Sequence, residues 1–171
     1  MKKIDINPLS YSSIQNAIKE LEEYKKWVIR KSEELTERLA TLGATVASLN
    51  FSRAIYNGIN DVQISVEKIE NGYKIVASGQ AVAFIEFGSG ARYSGGYPAE
   101  QTEVDPAITQ PGSWSDDGGK GHWDSPNGWW LPREKGGGHS YGNPPAMAMY
   151  YTAREIENNI KTIAQEVFSS D

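Results

Sequence analysis

His122 and His139 are the chain's only imidazoles, and Asp116, Asp117 and Asp124 lie near the first of them in sequence. Imidazole and carboxylate together can hold a divalent ion, but no pair has the i, i+4 helical spacing of a hydrolytic zinc site. Glu86 with Asp116 or Asp124 would be the carboxylate pair for glycoside hydrolysis, and exposed tryptophans suit a sugar platform. Against that, Glu86 alternates with Ile85 and Phe87 in what reads as a strand, which predicts an outward structural carboxylate. Asp116-Asp117 runs into Gly118-Gly119-Lys120-Gly121, yet neither phosphate-binding glycine pattern is complete. Gly88-Ser89-Gly90 lacks the third glycine and reads as the end of a strand. A serine nucleophile lacks its G-x-S-x-G setting, the elbow from strand to helix. With zero cysteines, thiolate chemistry, disulfides and cysteine-bound zinc or iron-sulfur sites are excluded. The expectation is a protein with no catalytic residue, no metal and no cofactor.

The elements that would carry these residues follow from periodicity. At 171 residues with no long apolar run, the chain is expected to form one soluble domain. Its start has two lysines but no apolar stretch, so neither a signal peptide nor a membrane span is expected. Ile14, Leu21, Val28, Leu35 and Leu42 recur seven apart, with Ile18 and Leu39 in the neighbouring seam, and predict a long helix over 13–42. Ser12 with Gln15 fits a capping box, and Gly43 is placed as a stop or kink. Such a helix would run about 45 Å, as long as the whole globule, so it must bend or lie where a neighbour meets it. Lys25 and Ser32 interrupt the seam and spoil the middle for a coiled coil. A second, shorter helix is expected from Ala44 to Asn57-Gly58.

Val62, Ile64 and Val66 alternate with polar residues as in a half-buried strand, and Asn71-Gly72 marks a hairpin. With "YKIVASG" returning and "AVAFIEFG" as a third strand, a three-stranded meander is expected over 61–88. Pro144-Pro145 opens a last helix, 144–169, in which Met147, Tyr151, Ile156, Ile160, Ile163 and Val167 supply apolar positions. The predicted fold class is α+β: an antiparallel β-meander flanked by a long N-terminal and a C-terminal helix.

Between these lies an excursion, 91–143, far beyond ordinary loop length. Disorder would predict few aromatics, but Trp114, Trp123, Trp129, Trp130, Tyr93, Tyr97 and Tyr141 are here. "HWDSPNGWWL" could be a hairpin turning at Ser125-Pro126-Asn127-Gly128. Two readings stand: tryptophans pinning the loop to its own sheet, or anchors for a neighbouring subunit. The net charge of −5 argues against gripping nucleic-acid phosphates.

Residues 42–168 resemble a known family. "LGATVASLNFSRAIYNGINDVQISVE", Phe84-Ile85-Glu86-Phe87-Gly88 with Gly90, the tryptophan-rich stretch and "NPPAMAMYYTAREIENNIKTIAQEVF" are similar to phage head-tail joining, neck or tail-completion minor structural proteins. Many members carry Pro-Phe-Met before the last helix, whereas Pro144-Pro145-Ala146-Met147 lacks the aromatic. The resemblance implies a non-enzymatic virion protein, like tail terminators, assembled in the host bacterial cytoplasm. It would form a ring, usually of six copies, between tail tube and connector, stopper or collar proteins, with DNA passing through unbound. On that reading Trp114, Trp123, Trp129, Trp130 and Tyr141 lie at subunit contacts. The competing class is a carbohydrate- or cell-wall-binding module that uses the tryptophan-rich loop; a nucleic-acid-processing accessory is disfavoured by charge.

Overall fold

The structure, a computed structural model, describes residues 4–90, 128–130 and 138–169. It begins with a single helix, α1 (Tyr11–Ser52), of 42 residues. Its cap lies earlier than Ser12. Ser10 is the N-cap, its hydroxyl accepting from Ser13 N at 3.4 Å, while Gln15 donates to the Tyr11 hydroxyl. Asn7 prepares the turn by accepting from Leu9 N and donating its own N–H to Ser13 Oγ. The expected break at Gly43 is absent, and the expected second helix is the last part of α1. Gly43 is buried, and a Cβ there would meet the side-chain tips of Ile75 and Ile156. This glycine serves close approach, not termination. At about 1.5 Å per residue α1 spans roughly 63 Å.

A hairpin follows: β1 (Gln63–Ile69) pairs antiparallel with β2 (Gly72–Ser78), from Gln63↔Ser78 to Ile69↔Gly72. The hairpin is where the sequence placed it, but Glu70 and Asn71 are the connecting residues, one position before Asn71-Gly72. Gly72, not Asn71, takes the positive φ, at 148°. Ile64, Val66, Ile75 and Ala77 share the face toward α1, where Ile75 meets Gly43.

The third strand is a helix instead, α2 (Val82–Phe87). A short, mostly apolar run such as VAFIEF cannot be told from a buried helix turn by periodicity alone. What decides it is Asp61, whose carboxylate accepts Gln80 N at 2.8 Å and Ala81 N at 2.9 Å and so turns the chain where β2 ends. Ile85 N then donates to Ala81 O, placing Ala81 and Ile85 together in the core with Phe51 and Ala148. The meander is therefore a two-stranded hairpin plus a helical turn, and the fold remains α+β.

Two short strands pair across the excursion, β3 (Trp129–Trp130) with β4 (His139–Ser140). The last helix, α3 (Ala148–Ser169), starts later than Pro144. It runs back along α1: Asn50 donates to Ala148 O, Ile156 lies against Gly43, and Phe168 packs edge-on against Trp27 at 5.7 Å. Residues 11–26 of α1, about 24 Å of helix, continue past that contact.

Candidate functional site

Residues 84–90 and the entry to α3, some sixty positions apart, meet and form one unit at the base of the excursion. Ala146 N donates to Ile85 O at 2.8 Å and Met147 N to Glu86 O at 3.1 Å, so the chain entering α3 is hydrogen-bonded onto α2. Ser89 and Asn143 exchange both backbone bonds, at 2.9 and 3.1 Å, closing the excursion at its root. Asn143 also donates its side-chain amide to Phe84 O at 2.8 Å, and its amide oxygen accepts from Ser89 Oγ at 2.5 Å.

Glu86 is the centre of this unit, and its environment corrects the outward position expected for it. It is buried, 4% exposed, and its two carboxylate oxygens accept from Met149 N at 2.8 Å and Tyr150 N at 3.1 Å. These are first-turn donors of α3 that no helical carbonyl can satisfy. A carboxylate there also meets the positive end of the helix dipole. With Glu86 so engaged, it is not placed as a sugar-cleaving acid. Met147, expected as an apolar helix position, instead precedes the helix with φ 52°, the only non-glycine positive φ among the described residues. Pro144 and Pro145 form the extended lead-in, both half-buried.

Glycines allow the strands of this base to touch. Gly88, at φ 80°, would put a Cβ 2.7 Å from Pro145 N, and Gly142, at φ 97°, would drive one into Ser89 O. Gly90 is buried, at φ 87°. Gly128, at φ 74°, would collide with Ser140 O. Phe84 and Phe87 are half-buried on either side of Ile85.

Asn57 ties the far side of the base, donating to Ser140 Oγ at 3.2 Å and Gly142 O at 3.3 Å. The letters G-x-S-x-G do occur here, from Gly138 to Gly142. Ser140 is nevertheless buried in β4, with its hydroxyl also accepting from Gly142 N at 3.0 Å, and no helix follows directly. A nucleophile elbow needs the opposite, an exposed hydroxyl at a strand-to-helix turn. Tyr141 is exposed and packs edge-on against His139 at 4.8 Å.

Of the residues expected at subunit contacts, Trp129 and Trp130 form β3, which pairs with β4. Trp114, Trp123, His122, Asp116, Asp117, Asp124 and the hairpin expected over His122 to Leu131, apart from Gly128 to Trp130, lie outside the described residues. Among the described residues no three His, Asp or Glu side chains come together as a metal site would require. No described helix is long and apolar enough to cross a membrane. None of Asn143, Ser89, Asn57 and Asp61 is expected as a site residue from sequence, where Asn57 reads only as a helix end and Ser89 as part of a strand end; the one available signal is Asn143 standing before two prolines, a turn-initiating pattern. No family model matches the chain, and no curated protein or solved structure matches it.

Proposed function

We propose that this chain is a non-enzymatic structural subunit of a phage or phage-tail-like particle, forming a ring at the head-tail junction as a neck, tail-completion or tail-terminator protein. The observation that carries the reading is the base of the excursion. Its polar groups, Glu86, Asn143, Ser89 and Ser140, are committed to holding backbone together, so the built site is a mount for a long aromatic segment and not a reaction centre. A rigid mount for a long loop suits contact with other subunits better than it suits catalysis.

Exposed apolar side chains support the same reading. Leu9, Tyr11, Ile18, Leu21, Ile55 and Ile59 are all more than half exposed, which a subunit that becomes covered on assembly can carry. The partners are further copies of the chain, most simply six, with the tail-tube protein on one side and connector, stopper or collar proteins on the other. DNA would pass along a lumen kept from sticking by the net charge of −5.

Light scattering on the 18.9 kDa chain, alone and mixed with its tail-tube protein, tests the proposal. A ring mass in either case is expected. A monomer under both conditions that binds purified cell-wall glycan saturably would overturn it in favour of the glycan-binding class.

A further inference from the structure

Asparagine followed by glycine occurs three times, at Asn57-Gly58, Asn71-Gly72 and Asn127-Gly128, and Asn127 lies outside the described residues. The pair is chemically labile because glycine, without a Cβ, leaves its backbone nitrogen open to the asparagine side chain before it. At the first pair, Gly58 N, giving up its proton, attacks the side-chain amide carbon of Asn57. The bond to Nδ2 breaks, ammonia leaves, and water opens the five-membered imide to aspartate or isoaspartate. Water alone is consumed, and no electrons change hands.

The fold demands this labile pair at 57–58. The Tyr56 ring, packed on the core, stands 2.7 Å from where a Cβ on Gly58 would be, so any side chain there would have to displace it. Asn57 is required for its amide, whose Nδ2 donates to Ser140 Oγ at 3.2 Å and Gly142 O at 3.3 Å and so ties the far side of the excursion's base. An amide offers two donors, whereas an ionised aspartate can only accept. Ser140 can turn its hydroxyl to donate to a carboxylate, but Gly142 O is itself an acceptor and would face one. The hairpin pair differs. Asn71 is exposed in the two-residue connection between β1 and β2, and its side chain makes no hydrogen bond among the described residues.

We propose that Asn57 is a site of spontaneous deamidation whose product releases the root of the excursion, while Asn71 converts earlier and leaves the fold unchanged. Nδ2, the atom that must depart, is the one both hydrogen bonds hold, which should slow Asn57 about tenfold relative to Asn71. The proposal stands on the base of the excursion alone and is independent of the ring reading.

Trypsin places the three pairs in separate peptides, 54–68, 69–74 and 121–133, so isoaspartate can be mapped by enzymatic methylation and fragment masses after ageing in mildly alkaline buffer. In denaturant Asn57 and Asn71 should convert at similar rates; in the folded chain Asn57 should lag about tenfold. Asn57→Asp, which carries the product directly, should lower the melting temperature and quicken proteolysis within the excursion, and Asn71→Asp should do neither. If Asn57→Asp does not fold, the aged natural chain, fractionated by charge, gives the same comparison. Asn57 converting in the folded chain as fast as in denaturant would overturn the proposal. So would peptide 54–68 remaining unmodified long after 69–74 has converted, or an aspartate at 57 as stable and protease-resistant as one at 71.

Discussion

Glu86 is one side chain that joins two distant segments, and its removal should be felt as a loss of fold. Glu86→Ala strips acceptors from two backbone N–H groups at the start of α3. Losing a charged cap and leaving its donors unmet costs about 2–3 kcal/mol, and a denaturant titration should show it. Glu86→Gln, which keeps one acceptor oxygen, should lose less. Asp61 carries the pH dependence at this scale. Backbone N–H donation from Ala81, then from Gln80, holds its carboxyl below the usual value. A carboxyl that ionises more readily when folded stabilises fully above its unfolded value, about pH 4, and that contribution is lost as pH falls through the folded value. The melting temperature of the natural chain should therefore drop more steeply below about pH 4 than that of Asp61→Asn. Equal slopes would show that Asp61 does not govern the turn into α2. Neither role was legible in sequence. A carboxylate in an apolar run reads as strand alternation, and an aspartate beside a strand reads as a loop residue, because the N–H groups they serve are fixed only once the chain has turned.

At the scale of elements, Gly43 decides how closely α1 lies on β2 and α3. Replacing an interior helical glycine by alanine gains about 1 kcal/mol of helix propensity. The new methyl would press on the ends of Ile75 and Ile156, flexible tips that can move aside. Gly43→Ala should thus lie within about 1 kcal/mol of the natural protein, while Gly43→Leu, which no such adjustment can accommodate, should cost about 3 kcal/mol through overpacking. Thermal unfolding of both variants separates this from a glycine at an open helix end, for which leucine would cost no more than alanine. The heptad from Ile14 to Leu42 announced the helix correctly, and the hairpin was plain from the alternation around Val62 to Val66. The short run at Val82–Phe87 was misread, since five apolar residues around Glu86 fit either a strand or a buried helical turn.

On the scale of the whole molecule, the described parts divide into a packed body and surfaces that have little to do within one copy. Asn57, Ser89 and Asn143 hold the ends of the excursion beside each other, so a substitution within the tryptophan-bearing segment need not loosen the body. Trp129→Ala or Trp130→Ala is expected to leave the monomer folded by circular dichroism while reducing ring formation in light scattering. If both variants unfold, those side chains belong to the body and the assembly reading loses its aromatic anchors.

The sequence by itself determined the elements whose signals are local and repeated. The seven-residue recurrence of α1, the strand alternation of β1 and the apolar spacing of α3 each arise from neighbours along one stretch of chain, so they can be read without knowing the fold. It also marked Phe84 to Gly90 and Pro144 to Met147 as segments of interest. Only the tertiary structure decided that these two segments are one unit, that Glu86 points inward to cap α3, and that Gly43 passes unbroken beneath Ile75 and Ile156. The reason is physical: each of those outcomes depends on which unsatisfied N–H, carbonyl or methyl arrives from a distant part of the chain, and no local spacing encodes that arrival.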